Sequence, residues 1–111
     1  YQHNEIIEIK FEDYGLCDIW DNIKFKIDIK CSNITDVSML RKVHTLYLYN
    51  CPNITDVSML GTVHTLNLFW CSNITDVSML GEVHTLNLSC CPNIPKYQIE
   101  ELKKTVTNLE Y

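Results

Sequence analysis

Apolar and polar positions along the chain recur with a period of 20 residues. One unit, from Val43 to Leu60, follows the pattern V-x-x-L-x-L-x-x-C-x-x-I-x-x-V-x-x-L. Leu46 and Leu48 alternate with polar or aromatic residues, which predicts a strand that turns one face inward. From Cys51 to Leu60 the apolar residues are three apart, a spacing that suits a tight 3₁₀-type return better than an α-helix. Each unit therefore predicts one short strand and one compact return.

Three consecutive units are almost identical: they begin at Cys31, Cys51 and Cys71, and a fourth begins at Cys91 and then departs from the pattern. Twenty residues are too few for a strand–helix–strand crossover, which needs about 30. They are enough for one coil of a solenoid. Repetition at this period therefore predicts stacked coils whose strands form a parallel sheet, with the equivalent leucines in register.

The segment V43-H-T-L-Y-L-Y-N-C51-P-N-I54 resembles the leucine-rich repeat signature L-x-x-L-x-L-x-x-(Asn or Cys)-x-(Leu or Ile), and the copies from Val63 and Val83 fit it as well. The ITDVSML returns are similar to the short cysteine-containing type. Composition resembles that of leucine-rich proteins from amoebae or their large DNA viruses. The resemblance implies an α/β leucine-rich repeat solenoid with the parallel sheet on its concave face and short 3₁₀ or irregular returns.

We expect one domain over residues 1–111. Residues 1–30 form degenerate N-terminal repeats, 31–90 the three near-identical repeats, and 91–111 a variant C-terminal repeat. Strand-like apolar residues in the outer repeats are Ile6, Ile9 and Phe11, then Phe25, Ile27 and Ile29, and finally Val106, Leu109 and Tyr111.

The segment PKYQIEELKK predicts one short C-terminal helix within the last return. Pro95 suits a first helical turn, and Ile99, Leu102 and Val106 fall on one face. Glu100 is placed to pair with Lys104.

Polar residues of the returns also recur. Asp36, Asp56 and Asp76 are placed to cap the following turn, each with a serine two residues on. The asparagines two residues after each repeat cysteine are expected to bond their own backbone at the bend; they are Asn33, Asn53, Asn73 and Asn93.

Charge and composition narrow the classes of partner. A formal charge of -5 argues against nucleic acid, because phosphate binding favours basic surfaces. No apolar run approaches the ~20 residues needed to cross a bilayer, so no membrane partner is expected. Four of the six cysteines occupy one position of successive repeats, as buried structural thiols would; disulfides between neighbouring coils remain geometrically open. Free thiols favour a reducing, cytoplasmic location.

The sequence gives little support for a catalytic site or a metal site. His44, His64 and His84 predict a ladder with a spacing of about 4.8 Å, but no carboxylate or thiol completes a metal site. Cys90 and His84 are the best available nucleophile and base, yet no distinctive motif surrounds them. We expect no cofactor, no metal site and no enzymatic activity.

The copies differ mainly at outward strand positions, and there they include large aromatics. Aromatic side chains often anchor interfaces. We therefore predict a protein-binding concave face made of Tyr47, Tyr49, Asn50, Asn67, Phe69, Trp70, Asn87 and Ser89, with charges from Lys10, Glu12, Asp28 and Lys30 on its flank.

The leading hypothesis is a non-enzymatic protein–protein interaction module, an adaptor, regulator or scaffold, that binds a protein partner through this face. The alternative is a structural protein that forms homo-oligomers through open end strands. An enzyme that uses Cys90 is the least favoured hypothesis.

Overall fold

The computed structural model describes residues 6–8, 26–29 and 34–111, and its strands form one six-stranded parallel sheet. The strands lie in chain order and are β1 (Ile6–Glu8), β2 (Lys26–Ile29), β3 (Thr45–Leu48), β4 (Thr65–Asn67), β5 (Thr85–Asn87) and β6 (Asn108–Glu110). The 3₁₀ turns Ser38–Leu40, Ser58–Leu60 and Ser78–Leu80 alternate with the strands, and one α-helix, α1, spans Lys96–Leu102. This is the architecture of a repeat solenoid, as the 20-residue period predicts.

Strand pairing follows the predicted register. Leu46 is paired with Leu66 and Leu66 with Leu86. The outer strands continue the same ladder, because Ile27 pairs with Leu46 and Leu109 with Leu86. The expected strand residues Ile9, Phe11 and Phe25 lie outside the described residues.

The core is a set of columns in which equivalent residues of successive coils stack on one another. In the repeats that begin at Cys51 and Cys71, side chains are buried at the same seven positions. In the middle repeat these are Cys51, Ile54, Val57, Leu60, Val63, Leu66 and Leu68. One coil is too thin to bury such residues by itself, so its apolar side chains leave water only when neighbouring coils cover them.

Asp–Ser pairs shape the returns as expected. The Oδ1 atoms of Asp36, Asp56 and Asp76 accept hydrogen bonds from the backbone N–H two residues on, at 2.9, 2.9 and 3.0 Å. In the last of these returns the Ser78 hydroxyl also donates to Asp76 Oδ1, at 2.7 Å. These bonds satisfy donors at the start of each 3₁₀ turn, where the backbone offers no acceptor.

We predicted that the asparagines two residues after each repeat cysteine bond their own backbone, and for Asn73 and Asn93 this prediction was wrong. Asn73 Nδ2 donates to the carbonyl of Pro52 at 2.6 Å, and Asn93 Nδ2 donates to the carbonyl of Ser72 at 2.7 Å. Both amides therefore bind the preceding coil and not their own backbone. The repeat period allows this, because it brings a carbonyl of the preceding coil within reach of both asparagines.

The repeat cysteines form a second bridge between coils. The thiols of Cys51, Cys71 and Cys91 are buried, and none of the three forms a disulfide. Cys71 Sγ donates to the carbonyl of Leu48 at 3.2 Å, and Cys91 Sγ donates to that of Leu68 at 3.0 Å. A hydrogen bond with the Cys51 side chain, followed by burial, raises the pKa of Cys71, and burial raises that of Cys91. These thiols are thus held protonated, as hydrogen-bond donors and not as nucleophiles.

Helix α1 replaces the 3₁₀ turn of the last return and buries Ile99 and Leu102. Its salt bridges join Glu100 to Lys103 at 3.1 Å and Glu101 to Lys104 at 3.0 Å, so the predicted Glu100–Lys104 pair is shifted by one residue. An i,i+3 pair serves as well as an i,i+4 pair on a helix surface. None of the described helices has the length and apolarity that crossing a membrane requires.

Gln98 fastens this helix to the preceding coil. Its side chain is only 9% exposed, and its Oε1 accepts a hydrogen bond from the backbone N–H of Val77 at 2.7 Å. The sequence pattern did not single out this residue, because a glutamine beside an apolar helix face usually faces solvent.

Replacing Gln98 with leucine should lower the free energy of unfolding by about 1–3 kcal/mol, because the buried Val77 N–H loses its acceptor. Tyr97→Leu, at the neighbouring position of the same helix, which is 69% exposed, serves as the matched control. Urea unfolding of both variants measures the difference. Equal stability of Gln98→Leu and the native chain would contradict this role.

Acid should destabilise the returns. Hydrogen bonds from the Ser78 hydroxyl and then its backbone N–H lower the pKa of Asp76 below the ordinary 3.8, and serines hold down the pKa values of Asp36 and Asp56 in the same way. A carboxylate with a lowered folded-state pKa contributes stability that is present above 3.8 and is lost as pH falls through the folded value. Carboxyl titration by NMR should therefore show all three below 3.8. Ser78→Ala should raise the pKa of Asp76 and leave that of Asp56 unchanged.

Candidate functional surface

The outward face of the sheet carries the positions at which the copies differ. Inward leucines alternate with outward residues, so positions 45 and 47 face out on β3 and position 49 faces out directly after it. Their equivalents face out on and directly after β4 and β5. Because the inward positions are fixed by packing, the outward ones are free to differ in chemistry.

Three aromatic side chains of the predicted surface come together. The Tyr49 and Phe69 rings stack with centroids 5.1 Å apart and planes 19° apart. Trp70 meets Phe69 at 6.0 Å with the rings at 74°, in an edge-to-face arrangement. Tyr49 is 41% exposed and Trp70 52% exposed. We call Tyr49, Phe69 and Trp70 the aromatic cluster.

Asn67 and Asn87 lie in register on neighbouring strands, beside Tyr47 on one side and Glu110 on the other. Their Oδ1 atoms accept hydrogen bonds from the backbone N–H of Phe69 and Ser89, each at 2.8 Å. These two asparagines therefore shape the end of the strand, in addition to lining the outward face.

The chain makes a left-handed turn directly after each outward stretch. Asn50, Trp70 and Cys90 occupy equivalent positions and have φ values of 53°, 64° and 61°. Asparagine tolerates this conformation, whereas in tryptophan and cysteine it brings Cβ into unfavourable contact with the backbone. The turn is held by bonds between coils, since Asn50 N–H donates to the carbonyl of Phe69 at 2.9 Å and Trp70 N–H donates to that of Ser89 at 3.0 Å.

The histidine ladder is present as predicted. His44, His64 and His84 stack with successive centroids 4.5 Å apart, and the ring planes are within 13°. Each ring places Nδ1 2.8–2.9 Å from the hydroxyl of the following threonine. Among the described residues no group of three or more histidine, cysteine or acidic side chains is arranged to hold a metal ion.

The structure does not bring Cys90 and His84 together. His84 precedes β5 and Cys90 lies in the exposed turn beyond it. The three residues of β5 alone span about 10 Å, which is several times the reach of a nucleophile–base hydrogen bond.

Strand parity placed these strand residues on the outward side of the sheet, as the structure has them, but sequence reasoning missed the left-handed turns that follow. The available signal was Asn50, because asparagine directly after a strand is the commonest non-glycine residue in that conformation. Trp70 and Cys90 conceal the signal in the next two copies. The flanking charges expected from Lys10, Glu12, Asp28 and Lys30 have side chains outside the described part of the chain.

A scan against protein-family models, a search of curated proteins and a search of solved structures each give no match. The class of this protein is given by its fold alone: it is a parallel-sheet repeat architecture, and the residues on the outward face of its sheet differ between the copies.

Cys90→Asn should raise the free energy of unfolding by about 1 kcal/mol, because asparagine tolerates the left-handed backbone that cysteine must strain to adopt. Cys90→Ala is the matched control: it removes the same exposed thiol and retains the strain. Urea unfolding distinguishes them. If alanine stabilises as much as asparagine, the turn is not strained.

Proposed function

We propose that this chain is a leucine-rich repeat protein that binds a protein partner through the concave face of its sheet. The aromatic cluster anchors the partner, and Tyr47, Asn50, Asn67, Asn87 and Ser89 line the remainder of the contact. Protonated buried thiols and the absence of a disulfide among the described cysteines support a reducing, cytoplasmic setting.

Trp70 is the observation that carries the proposal. The indole of Trp70, the largest natural side chain, is 52% exposed, and the backbone of this residue has a φ of 64°. An exposed indole and a tryptophan in the left-handed conformation each lower the stability of the free chain. Asn50, at the equivalent position of the preceding coil, has a polar side chain and tolerates this conformation. Residues held in unfavourable conformations concentrate at functional sites, and tryptophan is among the most frequent anchors of protein interfaces.

Affinity capture from a cell lysate tests this function. We expect the native chain to retain a partner that Trp70→Asn loses by at least about tenfold, as for a central anchor. Asparagine suits the left-handed turn, so this variant removes the indole without adding backbone strain. Cys90→Asn makes the same backbone change one coil further on and should retain the partner. A partner kept equally by all three chains would contradict binding at the aromatic cluster.

Self-association is the second candidate, and the end of the sheet supports it. Within the described strands β6 pairs with β5 alone. An open groove of about 600 Å³ lies beside it, with Leu88, Ile94, Ile99 and Tyr111 among its lining residues. Exposed strand edges and uncovered apolar coil ends favour stacking of further chains. In the capture experiment, retention of the untagged chain on the tagged chain would favour this function.

A further inference from the structure

The aromatic column on the outward face ends where a third ring would stand. Tyr49 and Phe69 occupy equivalent positions of neighbouring coils and stack nearly parallel. The next equivalent position is Ser89, whose side chain is too short to continue the column. The face of Phe69 that points away from Tyr49 is therefore directed toward the space above Ser89, while Trp70 stands edge-to-face beside the same ring.

The surroundings of this space are polar and acidic. Asn87 lies two residues before Ser89 on the outward face, and Glu110 is its register partner on β6. Glu110 is thus a diagonal neighbour of Ser89, within reach of a long side chain placed above it. Glu110 is exposed and takes part in neither salt bridge of the described residues. No lysine or arginine occupies an outward position of β3 to β6.

Resting on the function proposed above, we propose that the space above Ser89 receives an arginine side chain of the protein partner. Its planar guanidinium continues the stack on Phe69 as a third layer and donates hydrogen bonds to the Glu110 carboxylate. Guanidinium is the side-chain group that both stacks flat on an aromatic ring and forms a paired hydrogen bond to a carboxylate. A lysine ammonium matches the charge but not the planar shape.

NMR titration of the ¹⁵N-labelled chain with the peptide amide Ac-Gly-Gly-Arg-Gly-Gly and its lysine twin tests this directly. Shifts should concentrate at Phe69, Ser89 and Glu110, and the lysine peptide should bind about fivefold more weakly, because an ammonium can neither stack flat on the ring nor form the paired hydrogen bond to the carboxylate. Equal shifts with both peptides, shifts centred on the acidic returns, or no saturable shift by about 20 mM would overturn the proposal.

Ser89→Tyr supplies the matched variant. The tyrosine should stack on Phe69 as Tyr49 does and fill the space from within, so peptide binding should disappear while the fold persists. The backbone bond from Ser89 N–H to Asn87 Oδ1 does not involve the replaced side chain. Met79→Tyr adds the same ring at an exposed position of a return, outside the binding face, and should bind as the native chain does. Glu110→Gln should weaken binding of the arginine peptide severalfold and leave the Phe69 shift in place.

The same variants separate this inference from the function on which it rests. In the capture experiment, loss of the partner with both Trp70→Asn and Ser89→Tyr supports the arginine site. Loss with Trp70→Asn alone keeps the binding face and overturns the arginine site. Retention by both variants overturns the binding face itself.

Discussion

Contact between equivalent residues of adjacent coils is the constraint on which the rest of the structure depends. From β3 to β5 a fixed period of 20 residues places each buried leucine above its counterpart, so one register serves these three strands. The same period lets polar groups bridge coils: the Cys71 thiol reaches the carbonyl of Leu48, and the Asn73 amide reaches that of Pro52. A coil by itself can satisfy neither its apolar side chains nor these backbone acceptors, so stability belongs to the stack.

This constraint also decides where the chain can vary. Inward positions and the bridging cysteines and asparagines are fixed by the neighbouring coil, which leaves the outward strand positions and the turns after them. The aromatic cluster occupies those positions, and its Trp70 departs from the asparagine that the turn would favour. A large outward side chain such as that of Trp70 can therefore be added to such an array at a local cost in strain, without a change in its core.

Much of the fold could be predicted from the sequence because its determinants are periodic. The alternation of Leu46 and Leu48 and the spacing of three from Cys51 indicated the strand and the 3₁₀ return that the structure contains. The outward set from Tyr47 to Ser89 followed from strand parity. What could not be predicted depends on contacts between coils: the direction of the Asn73 amide, the bond from Val77 N–H to Gln98, and the left-handed φ of Trp70. These require the height of one coil above another, which a one-dimensional pattern does not contain.

Deleting residues 51–70 tests most directly the claim that neighbouring coils share one spine. The deletion removes one whole period, joins Asn50 to Cys71 and preserves the register of the remaining leucines. Deleting residues 51–60 is the matched control, because it leaves Leu46 and Leu66 ten residues apart, too few for the crossover of about a dozen residues that joins two parallel strands. The account predicts that urea unfolding of the full-period deletion stays cooperative at reduced stability, whereas the shorter deletion has no cooperative transition. Equal behaviour of the two deletions would contradict it.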